Sequence, residues 1–183
     1  MSVFEIDALL RNIKFDKYFL EATFQFKLLM QLAKIFNEDC IFPERNIEYY
    51  NLNSHDFSKK ETDIIIEQDN DLHIAIELKM PMNGQVPEQM FKFVEDIKFL
   101  EELKATGIFG KCYFIVVTND SNFWHGSKSD GIYSFFRNEQ PLKGKIYKPT
   151  GNKKKKDFHQ ISGEYHIKWN SVNSNFRYFS VEV

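Results

Sequence analysis

Apolar residues follow two different periods along this chain. Residues 21–36 (Glu21-Ala22-Thr23-Phe24-Gln25-Phe26-Lys27-Leu28 and onward) place them at helical spacing, which predicts a buried helix. The wider span 4–36 reads as one or two helices with a break near Phe15-Asp16. Pro43 interrupts, and residues 47–52 read as a strand entering the polar loop Asn53-Ser54-His55-Asp56. The period then shortens to two. Glu61-Thr62-Asp63-Ile64-Ile65-Ile66 and Leu72-His73-Ile74-Ala75-Ile76-Glu77-Leu78-Lys79, separated by a polar turn, predict a β-hairpin.

The hairpin's register follows from its own side chains. Successive residues of a strand face opposite sides, so Ile74, Ile76 and Leu78 share one face and Ala75, Glu77 and Lys79 the other. Burying the isoleucines together sets Ile64 opposite Ile76 and Ile66 opposite Ile74, with a three-residue loop at 69–71. Asp63 then lies opposite Glu77, their Cβ atoms roughly 5 Å apart. A slip of one residue would send Asp63 to the core side.

After a loop at 81–87, residues 88–104 predict a helix, with Pro87 suited to its first turn. Gly107 and Gly110 end it. Residues 111–118 form a near-continuous apolar run, the pattern of a central strand buried on both faces. Residues 132–136, 164–169 and 176–182 read as shorter strands. The order of elements predicts an α/β fold with a mixed central sheet flanked by helices, the strand at 111–118 lying parallel to the Glu77 strand. The 183 residues suit one domain, with a core over 1–120 and a β-rich C-terminal extension over 121–183.

Composition narrows the setting. With 43% hydrophobic and 16% aromatic residues the chain can bury a sizeable core. No apolar run is long enough to span a membrane and no signal sequence is evident. Cys40 and Cys112 lack zinc or redox spacing, which fits a reduced, cytoplasmic protein. A formal net charge of −2 does not advertise a nucleic-acid binder, yet a local basic surface suffices for one.

Two neighbouring carboxylates repel unless a cation or proton lies between them. Hard oxygen donors of this kind suit Mg²⁺, which uses one or two protein carboxylates and keeps several waters. The bare acid-x-Lys triplet is common: it recurs at Asp96-Ile97-Lys98 and Glu102-Leu103-Lys104. Those copies lie in a helical pattern, where residues two apart point to nearly opposite sides. Only Glu77-Leu78-Lys79 lies on a strand with an acid across from it.

These residues resemble the PD-(D/E)XK nuclease superfamily over roughly residues 15–120. Asp63 matches the family's first acid, Glu77 its second and Lys79 its lysine, with Thr62 where the motif has proline. Ile76-Glu77-Leu78-Lys79-Met80-Pro81 is also similar to the nuclease part of type I restriction subunits and to RecB-like nucleases. Their Gln-x-x-x-Tyr motif is matched at Gln89 but ends in Phe93. The resemblance implies a restriction endonuclease-like core and Mg²⁺, replaceable by Mn²⁺, held by Asp63, Glu77 and the Leu78 main-chain carbonyl. It implies that Lys79 orients or activates the water and stabilises transition-state charge, with Gln89 and Glu21 assisting. Glu21 would reach the metal through a water, with Gln25 one turn along on the same side. The implied activity is DNA phosphodiester hydrolysis in restriction, defence or repair, by a possible homodimer or with a separate protein partner. The alternative is a catalytically inactive nuclease-like module for DNA binding or assembly. For DNA contact the candidate segment is Lys153-Lys154-Lys155-Lys156, with Tyr147 and Phe158 nearby.

Overall fold

A computed structural model describes residues 5–69, 72–82 and 84–183. Phe4 and the tip of the hairpin loop at Asn70 and Asp71 lie outside them. Two helices open the chain, α1 (Ile6–Arg11) and α2 (Glu21–Leu32), and an irregular stretch containing Phe15 and Asp16 separates them. The first strand, β1 (Ile41–Asn46), is followed by the hairpin β2 (Glu61–Ile66) and β3 (His73–Lys79). Helix α3 (Val86–Ala105) crosses over to β4 (Phe109–Thr118). Beyond it come α4 (Tyr133–Arg137), β5 (Leu142–Tyr147), β6 (Phe158–Tyr165), β7 (Asn170–Ser171) and β8 (Arg177–Glu182).

The central sheet has six strands in the order β1-β2-β3-β4-β8-β7. It is mixed: β3 and β4 run parallel and the other neighbours antiparallel. In the hairpin Ile64 pairs with Ile76 and Ile66 with Ile74, the register that burying the isoleucines demands. Those residues and Leu78 pack with α1 and α2 through Leu9, Leu10, Phe24, Leu28 and Leu32. On the opposite face Ile65, Ala75, Phe114 and Val116 pack with α3 through Met90, Phe93, Ile97 and Leu100. Phe93 centres an aromatic cluster, its ring 5.7 Å from Phe114 and Phe123, 5.8 Å from Phe136 and 6.1 Å from Phe179. Strand β4 is covered on both sides, as its unbroken apolar run expects.

Several expectations are corrected. Residues 47–52 are not a strand: Ile47–Tyr50 is a 3₁₀ turn. The Asn46 side chain caps it by accepting from the Glu48 N–H. The strand lies before it, and Pro43 pairs with Ile64 within it. Proline is tolerated there because β1 is an edge strand. Residues 132–136 are the N-cap and most of α4 rather than a strand. Ile132 and Phe136, one turn apart, are both buried on one side. At 164–169 only the first two residues are extended, as the end of β6.

Residues 121–183 serve two places. Strand β8 joins the central sheet beside β4. The β5–β6 hairpin lies across α3, where the Glu101 carboxylate accepts from the Ser162 and Gly163 N–H groups and from the Tyr165 hydroxyl. Among the described residues, no helix is long and apolar enough to cross a membrane.

Candidate active site

The paired register of β2 and β3 stops at Ile64 and Ile76, and beyond it the two acids take over. The Leu78 N–H donates to Asp63 Oδ2 at 2.7 Å, and the Asp63 N–H points to Glu77 Oε1 at 3.4 Å. Each strand therefore finishes on the other's carboxylate. Strand alternation turns Glu77 toward α3, where it is wholly buried.

Helix α3 supplies a third acid. Asp96 lies within its buried stripe, among Phe93, Ile97, Phe99 and Leu100, and faces the strand ends. The Lys59 ammonium, from the loop before β2, donates to Glu77 Oε2 and to Asp96 Oδ1, the latter at 2.8 Å. The loop is held in place on both sides of Lys59. The Ser58 N–H and hydroxyl both donate to Glu102 at 2.7 Å, and the Lys60 carbonyl accepts from the Ile47 N–H.

Lys79 occupies the other side. Its ammonium donates to the Leu78 carbonyl at 2.8 Å and stands 3.6 Å from Glu21, 3.9 Å from Asp63 and 3.9 Å from Asp96 Oδ2. Asp96 Oδ2 is buried and, among the described residues, has no hydrogen-bond partner. Glu21, in the first turn of α2, also accepts from the Met80 N–H at 2.7 Å. One turn on, Gln25 donates to the Asp63 carbonyl at 2.9 Å. Four carboxylates and two ammonium groups thus meet at the ends of β2 and β3.

Burial and the neighbouring charges of Asp63 and Asp96 push the Glu77 carboxyl well above its ordinary range, against the pull of Lys59. Burial raises Asp96 as well, although both lysines oppose it. Burial alone would lower both lysines, yet the acids around them raise them instead: Glu77 and Asp96 for Lys59, and Asp96, Asp63 and Glu21 for Lys79. Both partners of the Lys59–Glu77 pair are raised, which favours the charged lysine but the neutral acid, for one reason. A single ammonium shared by two buried carboxylates neutralises only one of them. The lysines stay charged, and the acids are left short of a proton or a cation.

Asp63, Glu77, Lys79 and Glu21 are brought together as sequence reasoning places them. Gln89 is on the same side of α3 as Asp96 but two turns nearer its start, and its side chain makes no hydrogen bond to the cluster. Asp96 and Lys59 are the site residues that sequence reasoning does not single out. An acid inside the apolar stripe of a helix is a readable signal for Asp96. Lys59 carries no pattern at all, since only the fold brings its loop over β3.

The donor types suit a hard divalent ion: two facing carboxylates and a main-chain carbonyl. Their present partners are ammonium groups, Lys59 on Glu77 and Lys79 on the Leu78 carbonyl. Among the described residues, no group of three or more His, Cys, Asp or Glu side chains is arranged to hold a metal.

The Lys153–Lys156 segment lies apart from this cluster, on an exposed turn. Lys154 and Lys155 border a cleft of about 850 Å³ whose wall also carries Lys128, Lys145, Lys148 and Tyr147. Lys153 pairs with Asp157 at 3.4 Å. The cleft reaches Pro87 at the start of α3, where the Thr150 hydroxyl donates to Glu88. Pro87 and Asp96 are about 13 Å apart along the helix axis. The chain matches no protein-family model, no curated protein and no solved structure.

Proposed function

We propose that this protein is a Mg²⁺-dependent nuclease that hydrolyses DNA phosphodiester bonds, built on a restriction endonuclease-like core. The observation that carries the reading is the charge at the strand ends. Glu21, Asp63, Glu77 and Asp96 set four carboxylates against the ammonium groups of Lys59 and Lys79, leaving a formal charge of −2. One divalent cation matches that deficit. Asp63, Glu77 and the Leu78 carbonyl are the groups that would hold it, with Glu21 in reach through a water. The ion would supply Lewis-acid polarisation of a phosphate oxygen and a more acidic water.

The chain's own residues do the rest. Asp63 and Glu77 fix the end of the hairpin and repel the phosphate until their charge is met. Lys79 sets its ammonium within 3.9 Å of Asp63, where it orients the attacking water and offsets charge building on the phosphate oxygens. Attack in line with the leaving oxygen breaks the P–O3′ bond and leaves a 5′-phosphate and a 3′-hydroxyl. The lysine-walled cleft at the start of α3 suits the flanking DNA backbone. Cutting both strands of a duplex requires two such sites, so a homodimer or a separate partner would be needed.

Incubation of supercoiled and linear DNA with Mg²⁺ or Mn²⁺, beside a Lys79→Ala control, tests the proposal. Metal-dependent cleavage by the wild type that is lost in the variant is expected. Salt-sensitive DNA binding without cleavage would favour the inactive binding module, and neither activity would remove both.

A further inference from the structure

We propose that Lys59 is a tethered cation that competes with a divalent metal for Glu77, and that Asp96 is the positioning residue onto which it withdraws. The inference rests on the nuclease reading above and adds two residues to that site. Lys59 touches the one carboxylate of the cluster that is wholly buried, and does so from a loop fixed through Ser58 and Lys60. Its ammonium also lies 5.5 Å from the centre of the Phe99 ring, on the α3 side. The lysine is therefore held at Glu77 by its surroundings rather than resting there as a mobile surface chain.

Asp96 makes withdrawal possible. It already accepts from Lys59 through Oδ1. Its Oδ2 is buried and, among the described residues, accepts no hydrogen bond, an arrangement that ordinarily costs free energy. The same oxygen lies 3.9 Å from the Lys79 ammonium. A divalent ion claiming Glu77 and the Leu78 carbonyl would free both ammonium groups from those oxygens. Asp96 is placed to receive both, one on each oxygen. The site can then exchange cations without leaving a buried ammonium unpaired, which would otherwise be strongly unfavourable. Because the lysines do not leave, a bound divalent ion takes the formal charge of the cluster from −2 to zero.

Lys59 should accordingly weaken metal binding, unlike a lysine that merely braces the fold. The test is Mn²⁺ titration calorimetry at pH 8.5 on the full chain, comparing wild type, Lys59→Gln and Lys59→Arg, each checked for native secondary structure by circular dichroism. Lys59→Gln is expected to bind Mn²⁺ roughly tenfold tighter, while Lys59→Arg, which keeps the competing charge, stays within about twofold of wild type. Mn²⁺ binding by wild type that is unchanged or weaker in Lys59→Gln overturns the competition and leaves the nuclease reading standing. Equal tightening in Lys59→Arg overturns it too, because charge would not be the cause. No Mn²⁺ binding by any of the three overturns this inference together with the nuclease reading. Should Lys59→Gln fail to fold, Lys59→Met takes its place, with the same expected tightening and the same result against it.

Discussion

The two faces of the β2–β3 hairpin are made by the same two strands and could hardly differ more. Toward α1 and α2 the strands present Ile64, Ile66, Ile74, Ile76 and Leu78, a dry aliphatic surface packed on leucine and phenylalanine. Toward α3 the same strands present Ile65 and Ala75 and then Glu77, which meets Lys59, while Asp96 beside it draws in both Lys59 and Lys79. One face gains free energy from burial. The other offsets part of that gain by holding a carboxylate away from water beside a second one. A rigid aliphatic face on one side lets charged groups on the other be held in a fixed arrangement. Strand alternation is the device that keeps the two apart, so each face can be altered on its own.

Substitutions on the two faces should separate chemistry from stability. The largest effect is expected on the charged face. Asp63→Asn keeps an acceptor for the Leu78 N–H but removes a charge, and should lower single-turnover, metal-dependent cleavage by about 10²–10³-fold with the fold retained. On the aliphatic face, Ile76→Ala should cost ~2–5 kcal/mol in denaturant unfolding. Cleavage per folded molecule should stay near wild type. A loss of cleavage as steep as that of Asp63→Asn would show that the faces are not separable.

A smaller effect with the opposite sign is expected from Glu77→Gln. The Glu77 carboxyl is raised in the folded protein by burial and by Asp63, so the native state holds a proton that the unfolded chain has released. Stability therefore falls as pH rises from the ordinary glutamate value of 4.5 through the raised one. Glutamine does not titrate, and Lys59 keeps Asp96 as its partner. Thermal unfolding should find the variant more stable than wild type at pH 8, with the advantage gone below pH 4.5. An advantage that persisted at low pH would point to packing rather than charge. The smallest effect is expected far from the hairpin. Replacing Lys154 and Lys155 with alanine should lower the salt dependence of DNA binding by up to ~0.9 in log–log slope for each phosphate no longer neutralised.

Much of this is legible in the sequence because it rests on periodicity. The isoleucines fix the register, the register sets Asp63 across from Glu77, and the apolar run at 111–118 finds its central place. What the sequence hides depends on contacts between distant segments. Pro43 reads as a break, yet an edge strand has room for it. The short apolar and aromatic run at 132–136 conceals a helix whose buried pair is one turn apart. Asp96 shares its acid-x-Lys pattern with Glu77, but on a helix the two residues part company. Asp96 turns inward to Lys59, and Lys98 pairs along the helix with Glu102 at 3.0 Å. Lys59 depends wholly on how its loop crosses the sheet. Gln89 fits a motif spacing but sits two turns away from the acid that α3 does contribute.

The most direct test of the central claim, that Glu77 is buried for chemistry at the expense of stability, is the Mg²⁺-dependent DNA cleavage rate of the Glu77→Gln protein where it is fully folded. A loss of about 10²–10³-fold in a protein no less stable than wild type is the predicted result. Cleavage at the wild-type rate would contradict it, and would return Glu77 to the role of a buried acid balanced by Lys59.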